Sequence, residues 1–174
     1  MLETLITSKT RLRLLIRFFV AAANKGYLNG LAQEFGESTN AIRKELNHLA
    51  EAGYLSKSKE NNKIQYLANT SHPLFSSLQK IVWQHLGLEL IAEKVIERMG
   101  RVDVISLVGD YAKGIDSGTI EIRVTGNQLN EDYFLRLSKK ISKQLERNVK
   151  IEGHREEDNQ GIILYLNETN ALVR

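Results

Sequence analysis

Residues 28–55 read LNGLAQEFGESTNAIRKELNHLAEAGYL, and the first half of the chain takes its fold from this stretch. Leu28, Leu31, Ala32 and Phe35 recur at i, i+3, i+4 and i+7, the spacing of one face of a short helix. Gly36 stops that helix, and Ser38 carries a side chain suited to capping the start of another. The next helix is expected from Ser38 to Glu51 with a buried stripe of Ile42, Leu46 and Leu49. Gly53 stands at the position where a glycine closes a helix C-terminus.

Upstream, residues 10–23 (TRLRLLIRFFVAAA) place Leu12, Leu15, Ile16, Phe19 and Val20 at helical spacing, with Arg11, Arg13 and Arg17 around them. Gly26 is expected to end this helix. Downstream the period changes from helical to alternating. Tyr54-Leu55-Ser56-Lys57-Ser58-Lys59 and Lys63-Ile64-Gln65-Tyr66-Leu67-Ala68 read as two strands, joined by Glu60-Asn61-Asn62 in a tight hairpin. Helix, helix, turn, helix, hairpin is the order of a winged helix-turn-helix, expected over Thr7–Asn69.

The quoted segment resembles the winged helix-turn-helix regulators of bacteria, most nearly the ArsR-like group. Leu31-Ala32 and Phe35 carry the likeness on the second helix, and Leu46, Leu49, Gly53, Tyr54 and Leu55 carry it where the recognition helix closes. The likeness covers about sixty residues of this sequence and indicates the module rather than its target. It implies a double-stranded-DNA-binding transcriptional regulator, with recognition helix 38–51 in the major groove and hairpin 55–68 on the phosphate backbone. The residues support the same reading independently. Opposite the apolar stripe the third helix offers Thr39, Asn40, Arg43, Lys44 and Asn47, with Ser38 at its start and His48 at the border. Arginine bridges guanine O6 and N7, and asparagine pairs with adenine N6 and N7. The N-terminal part of a recognition helix is the part that enters the groove. Lys57, Lys59 and Lys63 on the hairpin are placed to meet phosphates, contacts that position a protein without specifying sequence. The competing reading is a merely solvated polar helix face. The agreement of helix order, turn length and basic hairpin argues against it.

The composition fits this picture. Of 174 residues, 42% are apolar and 26% charged, which is globular and large enough for one ordinary domain or two small ones. Residues 1–70 hold ten Lys and Arg against six Asp and Glu, a balance of +4, whereas residues 71–174 carry −1, so an anionic partner belongs to the first half. The absence of cysteine removes disulfides, thiolate nucleophiles and Cys-ligated zinc. His48, His72, His85 and His154 do not cluster at ligand spacing, and the Cys-based box of the metal-sensing ArsR-like proteins is missing. No metal and no cofactor is expected. The N-terminus lacks the pattern of a signal peptide, and no apolar run approaches the roughly 18 residues of a membrane span, so a cytoplasmic protein with no membrane partner is expected.

Pro73 punctuates the passage to the second half. Leu74–Leu86 reads as a helix with Leu74, Leu78, Ile81, Val82 and Leu86 on its apolar side, and after Gly87 a further helix is expected over Leu88–Met99. In ArsR-like proteins the helices flanking the module form the dimer interface. Phe18, Phe19, Leu78, Val82 and Trp83 either do so here, in a homodimer, or cover the core of one chain. From Gly100 the pattern is mixed: strands at Val102–Val108, Thr119–Thr125, Val149–Gly153 and Gly161–Leu166, a loop or short helical turn at Gly109–Ser117, and an amphipathic helix over Asn130–Arg147 through Tyr133, Leu137, Ile141 and Leu145.

Within this part, residues 104–124 (VISLVGDYAKGIDSGTIEIRV) resemble the signature of minimal nucleotidyltransferase-fold domains, through Gly109, Tyr111, Ala112, Lys113 and Gly114 and then Gly118-Thr119-Ile120-Glu121-Ile122. The active family needs a Gly-Ser turn for the triphosphate and two carboxylates at alternate strand positions for magnesium. Here Asp110 stands in place of the serine and Thr119 in place of the first aspartate, leaving Glu121. One carboxylate makes a poor two-metal site, and Asp116 is a weak substitute from the loop. The expectation is a non-enzymatic, degenerate domain over 100–174. Gly109, Asp110, Lys113, Gly114 and Glu121 form its candidate ligand loop for a small-molecule effector, or else the domain serves as a dimerisation or docking platform. The alternative is a nucleotidyltransferase that uses the winged helix to choose its target. The expected fold class is therefore α+β: a winged helix-turn-helix over 1–70, linking helices over 71–99, and the small nucleotidyltransferase-like domain.

Overall fold

Ser8 opens the first long helix: its hydroxyl oxygen accepts the Arg11 amide at 3.2 Å, and α1 (Lys9–Phe19) follows. In the computed structural model, residues 2–97, 101–154 and 161–167 are described. The chain divides into two compact units, Met1–His85 and Leu86–Arg174. The segment read as linking helices, 71–99, is divided between them.

In the first unit α1 buries Leu12, Leu14, Leu15, Ile16, Phe18 and Phe19. It stops at Phe19 rather than running to Ala23, and Gly26 does not end it. Gly26 lies instead in a short strand, β1 (Lys25–Tyr27), absent from the sequence reading. A Cβ at Gly26 would come within 2.8 Å of Leu31 and 3.1 Å of Phe18, so glycine lets this strand lie directly on the helical core.

α2 (Leu28–Phe35) ends at Gly36, which is left-handed at φ 64°. α3 (Thr39–Glu51) starts at Ser38, whose hydroxyl accepts the Ala41 amide at 3.2 Å. At its other end Gly53 sits at φ 80°. The Tyr54 amide bonds the Leu49 carbonyl at 2.9 Å and the Gly53 amide bonds that of Ala50 at 3.0 Å, the two bonds of a Schellman cap. The chain then forms β2 (Leu55–Glu60) and β3 (Lys63–Ala68), whose turn holds only Asn61 and Asn62, at φ 46° and 59°. Two left-handed residues match the twist of a two-residue hairpin. Glu60, read from sequence as part of the turn, is paired with Lys63 in the ladder. β3 is the middle strand of an antiparallel sheet in the order β1-β3-β2.

The three arginines of α1 clamp this unit from behind. Arg11 Nε lies 2.8 Å from Glu45 of α3, whose carboxylate also accepts the Ser8 hydroxyl. Burial alone would raise the Glu45 carboxyl, but the bonds from Arg11 and Ser8 outweigh it and hold the group below its usual range. Arg13 donates to the Phe35 carbonyl at 2.8 Å and lies 4.0 Å over the Phe35 ring. Arg17 donates to the Lys25 carbonyl at 3.0 Å and pairs with Glu34 at 3.4 Å.

α4 (Phe75–Leu86) returns to α1: the Trp83 indole donates to the Val20 carbonyl at 3.0 Å, and Phe75 packs 5.8 Å from Phe19. These aromatic contacts turn Leu74 and Ile81 outward, at 48% and 41% exposure, so neither belongs to the apolar side assigned to them from sequence. Phe18, Phe19 and Val82 are buried within the unit. Leu78 and Trp83 keep part of their surface open.

The second unit starts with α5 (Leu88–Ile96); residues 98–99, into which this helix was expected to run, lie outside the described residues. β4 (Arg101–Val108), the single turn α6 (Gly109–Ala112), β5 (Thr119–Asn127), α7 (Glu131–Leu145), β6 (Asn148–His154) and β7 (Ile162–Leu166) follow. The sheet order is β6-β5-β4-β7, with β6 parallel to β5 and the other pairings antiparallel. Register brings Leu107, Ile122 and Ile151 side by side. Alternation puts Ile105, Ile120, Val124 and Val149 on the same face, where the buried Phe134, Leu137 and Ile141 of α7 supply the facing apolar stripe.

Candidate nucleic-acid interface

The face of α3 is set by its cap and its stripe. Ile42, Leu46 and Leu49 point into the core, and Glu45 is held there by Arg11. Helical geometry then gathers Asn40, Arg43, Lys44 and Asn47 on the opposite face, where Asn40, Arg43 and Lys44 are exposed and Asn47 is half-buried. Within this face the Arg43 guanidinium donates to Asn40 Oδ1 at 3.0 Å.

A side-chain hydrogen bond joins the hairpin to the helix. Lys57 of β2 donates to Asn47 Oδ1 at 3.2 Å, and its ammonium stands 5.6 Å from the centre of the Tyr66 ring. Burial pushes the Tyr66 phenol up, with Arg43 opposing the shift. The hairpin tip is tied to the start of α2 by a second network. Gln65 Nε2 lies 2.6 Å from both the Tyr27 hydroxyl and the Glu60 carboxylate, and the Tyr27 hydroxyl donates to Glu60. That bond to Glu60 raises the Tyr27 phenol above its ordinary value, against the Gln65 contact.

Between α3, the start of α2 and the hairpin lies a concavity of about 750 Å³. Arg43 and Asn47 line it from the helix, Lys57 and Lys63 from the hairpin, and Tyr27 and Tyr66 form part of its wall. The remaining residues of the sequence-derived set stand elsewhere. Ser38 directs its hydroxyl at its own helix as a cap. Thr39, Asn40 and Lys44 are exposed on α3 beside the concavity. Lys59 shares a strand face with Lys57, whereas Lys63 faces the other way with its ladder partner Glu60. Sequence reasoning missed Tyr27, Glu60 and Tyr66. Tyr66 carried a signal, as the one aromatic residue in an alternating strand. Tyr27 and Glu60 meet only through β1.

The candidate ligand loop of the second unit is tightly constrained. Gly109 is left-handed at φ 67°, and a Cβ there would strike the Glu121 carboxylate. Glu121 is also the register partner of Lys150 across β5 and β6. Asp110 and Lys113 are exposed, and Gly114 is buried. Asp116 is engaged: it accepts the hydroxyl of the fully buried Tyr111 and pairs with Arg147 at 3.4 Å, while Arg147 donates to the same hydroxyl at 3.0 Å. Burial, then the bond to Asp116, pushes the Tyr111 phenol up to about 12. Among the described residues no three His, Asp or Glu side chains are placed to share a metal ion. Among them, too, no helix is long and apolar enough to cross a membrane.

No protein-family model and no curated protein matches the chain. Solved structures similar to part of it include the AntR antimony-specific transcriptional repressor, 25% identical, over 53% of this chain and 78% of that one at a TM-score of 0.40. Reduced HlyU from Vibrio cholerae is 17% identical over 48% of this chain and 82% of that one, at 0.38. A mutant of MarR from E. coli is 15% identical over 57% and 71%, at 0.40. These likenesses cover about half of this chain each.

Proposed function

We propose that this chain is a sequence-specific, double-stranded-DNA-binding transcriptional regulator of the ArsR-like winged-helix kind, with α3 in the major groove and the β2–β3 hairpin along the phosphate backbone. One observation carries the proposal. Arg43 and Asn47 of α3 meet Lys57 of the hairpin in one concavity, whose lining Lys63 joins from the hairpin's other strand face, while the arginines of α1 are occupied behind it by Glu45, Glu34 and main-chain carbonyls. A helix fits the roughly 12 Å major groove, and basic groups beside it meet phosphates. The set Ser38, Thr39, Asn40, Arg43, Lys44, Asn47, Lys57, Lys59 and Lys63 then divides by role. Thr39, Asn40, Arg43, Lys44 and Asn47 face bases, Lys57, Lys59 and Lys63 face the backbone, and Ser38 fixes the start of the helix. The regulator acts as a homodimer reading two half-sites about one helical turn apart, as two-fold symmetry requires of a palindromic site.

The second unit, nucleotidyltransferase-like in outline, has a non-catalytic role in this reading. Glu121 lies close to Gly109, and Asp116 is committed to Tyr111 and Arg147, which supports reading Glu121 as a lone carboxylate rather than half of a metal-binding pair. An electrophoretic shift with the region upstream of the chain's own gene tests DNA binding: a discrete, competitor-resistant complex is expected, and none at low salt would sink the proposal. Sedimentation at high micromolar concentration checks the dimer, with a purely monomeric species, with and without DNA, as the contrary result. Incubation with labelled nucleoside triphosphates and magnesium or manganese is expected to give no transfer. Labelling lost in Glu121→Ala would overturn the non-catalytic reading.

A further inference from the structure

The two asparagines on the exposed face of α3 have their carbonyl oxygens already occupied. Asn40 Oδ1 receives Arg43 Nη1 at 3.0 Å, and Asn47 Oδ1 receives Lys57 Nζ at 3.2 Å. Arginine and lysine have no acceptor atoms, so the oxygen of each amide must be the end that faces them. The N–H donors of each amide then lie on the side of the group away from that cation. Arg43 and Lys44 add only donors to the same face. The nearest carboxylate in the concavity, Glu60, is taken up by Tyr27 and Gln65.

From this we infer that the Asn40, Arg43, Lys44 and Asn47 side of α3 presents mainly hydrogen-bond donors and selects guanine, rather than adenine, at the positions read by Asn47 and Arg43. The inference rests on the DNA-binding reading above and deepens it. Pairing an asparagine with adenine needs the amide oxygen to accept from the N6 amino group while the nitrogen donates to N7. A cation on that oxygen sets its positive charge against the incoming amino hydrogen. Guanine offers two acceptors side by side, O6 and N7, and no major-groove donor, so it is the complement of a face that mainly donates. Lys57 is thus a positioning residue: it orients the Asn47 amide as well as standing near the backbone.

The test uses the full chain and duplexes selected from a random pool. Guanine is expected at the core of each selected half-site. Replacing these guanines by 7-deazaguanine, which lacks the N7 acceptor, should lower affinity about tenfold at one position or more, whereas replacing adenines by purine without the amino group should change it less than about twofold. Lys57→Met releases the Asn47 oxygen, and its selected half-site should show a weaker preference for guanine over adenine at one position. A half-site centred on adenine, with binding lost when its amino group is removed, overturns the inference. So does a Lys57→Met variant that binds all duplexes more weakly with an unchanged preference. Failure to enrich any duplex overturns the DNA-binding reading beneath it, a result distinct from both.

Discussion

Arg43 leaves α3 on its exposed face and already has a partner in Asn40. Its removal should cost roughly 1–3 kcal/mol on a selected site and much less on random DNA, because a base contact is sequence-dependent. Equal losses on both, in titrations of Arg43→Ala, would make it a phosphate contact. Tyr111 is the corresponding residue of the second unit. It is fully buried, donates to Asp116 and accepts from Arg147, and its phenol rises from 10.0 to about 12. The folded state therefore holds this proton more tightly than the unfolded chain does. The contribution is complete below pH 10 and is lost as pH rises toward 12. Tyr111→Phe should flatten that part of the alkaline stability profile relative to the parent chain. It should also destabilise the unit by roughly 1–3 kcal/mol at neutral pH, since Arg147 and Asp116 lose a buried partner. Parallel alkaline unfolding curves for the two proteins would contradict this account.

Among the elements, α2 and α3 are legible in the sequence almost to the residue. Their signals are local: an apolar stripe at helical spacing, a serine that caps and glycines that close. Ser38→Ala removes the cap and is expected to cost roughly 0.5–2 kcal/mol of thermal stability in the first unit, a loss that Ser38→Asp should largely restore. The hairpin is legible for a similar reason, because Asn61 and Asn62 tolerate the left-handed backbone its turn demands. β1 is not legible. Three residues show no period, and Gly26 looks the same in sequence whether it ends a helix or lets a strand approach Leu31 and Phe18. The apolar side of α4 is misread from sequence because Leu74 and Ile81 are as hydrophobic as the residues that do pack. Only the tertiary contacts of Phe75 and Trp83 with the α1 region decide which way the helix faces. The site is half visible. Residue types and their helical face can be read, but the bonds from Lys57 to Asn47 and from Tyr27 to Glu60 join segments that the sequence keeps ten and thirty-three residues apart.

At the scale of the whole chain, the excess of +4 in residues 1–70 is sorted by its partners. Lys59 stands on the hairpin beside Lys57 without lining the concavity, which suits a phosphate contact. Lys59→Ala should weaken binding to all sequences alike and reduce the slope of log affinity against log salt by about 0.9. An unchanged slope would remove the hairpin from the interface. Glu45 of α3 and Glu34 of α2, which hold the α1 residues Arg11 and Arg17, would also shape the approach to a polyanion. A first unit arriving with α1 foremost presents charges already compensated at close range, whereas one arriving with α3 and the hairpin foremost presents lysines and Arg43 to the field. Inside the Debye length, about 8 Å at physiological salt, such an imbalance would turn the molecule toward a polyanion before contact. On the proposed function, encounters would then begin more often in the orientation that recognition needs, and the ion pairs on the far side would raise the association rate without ever meeting DNA.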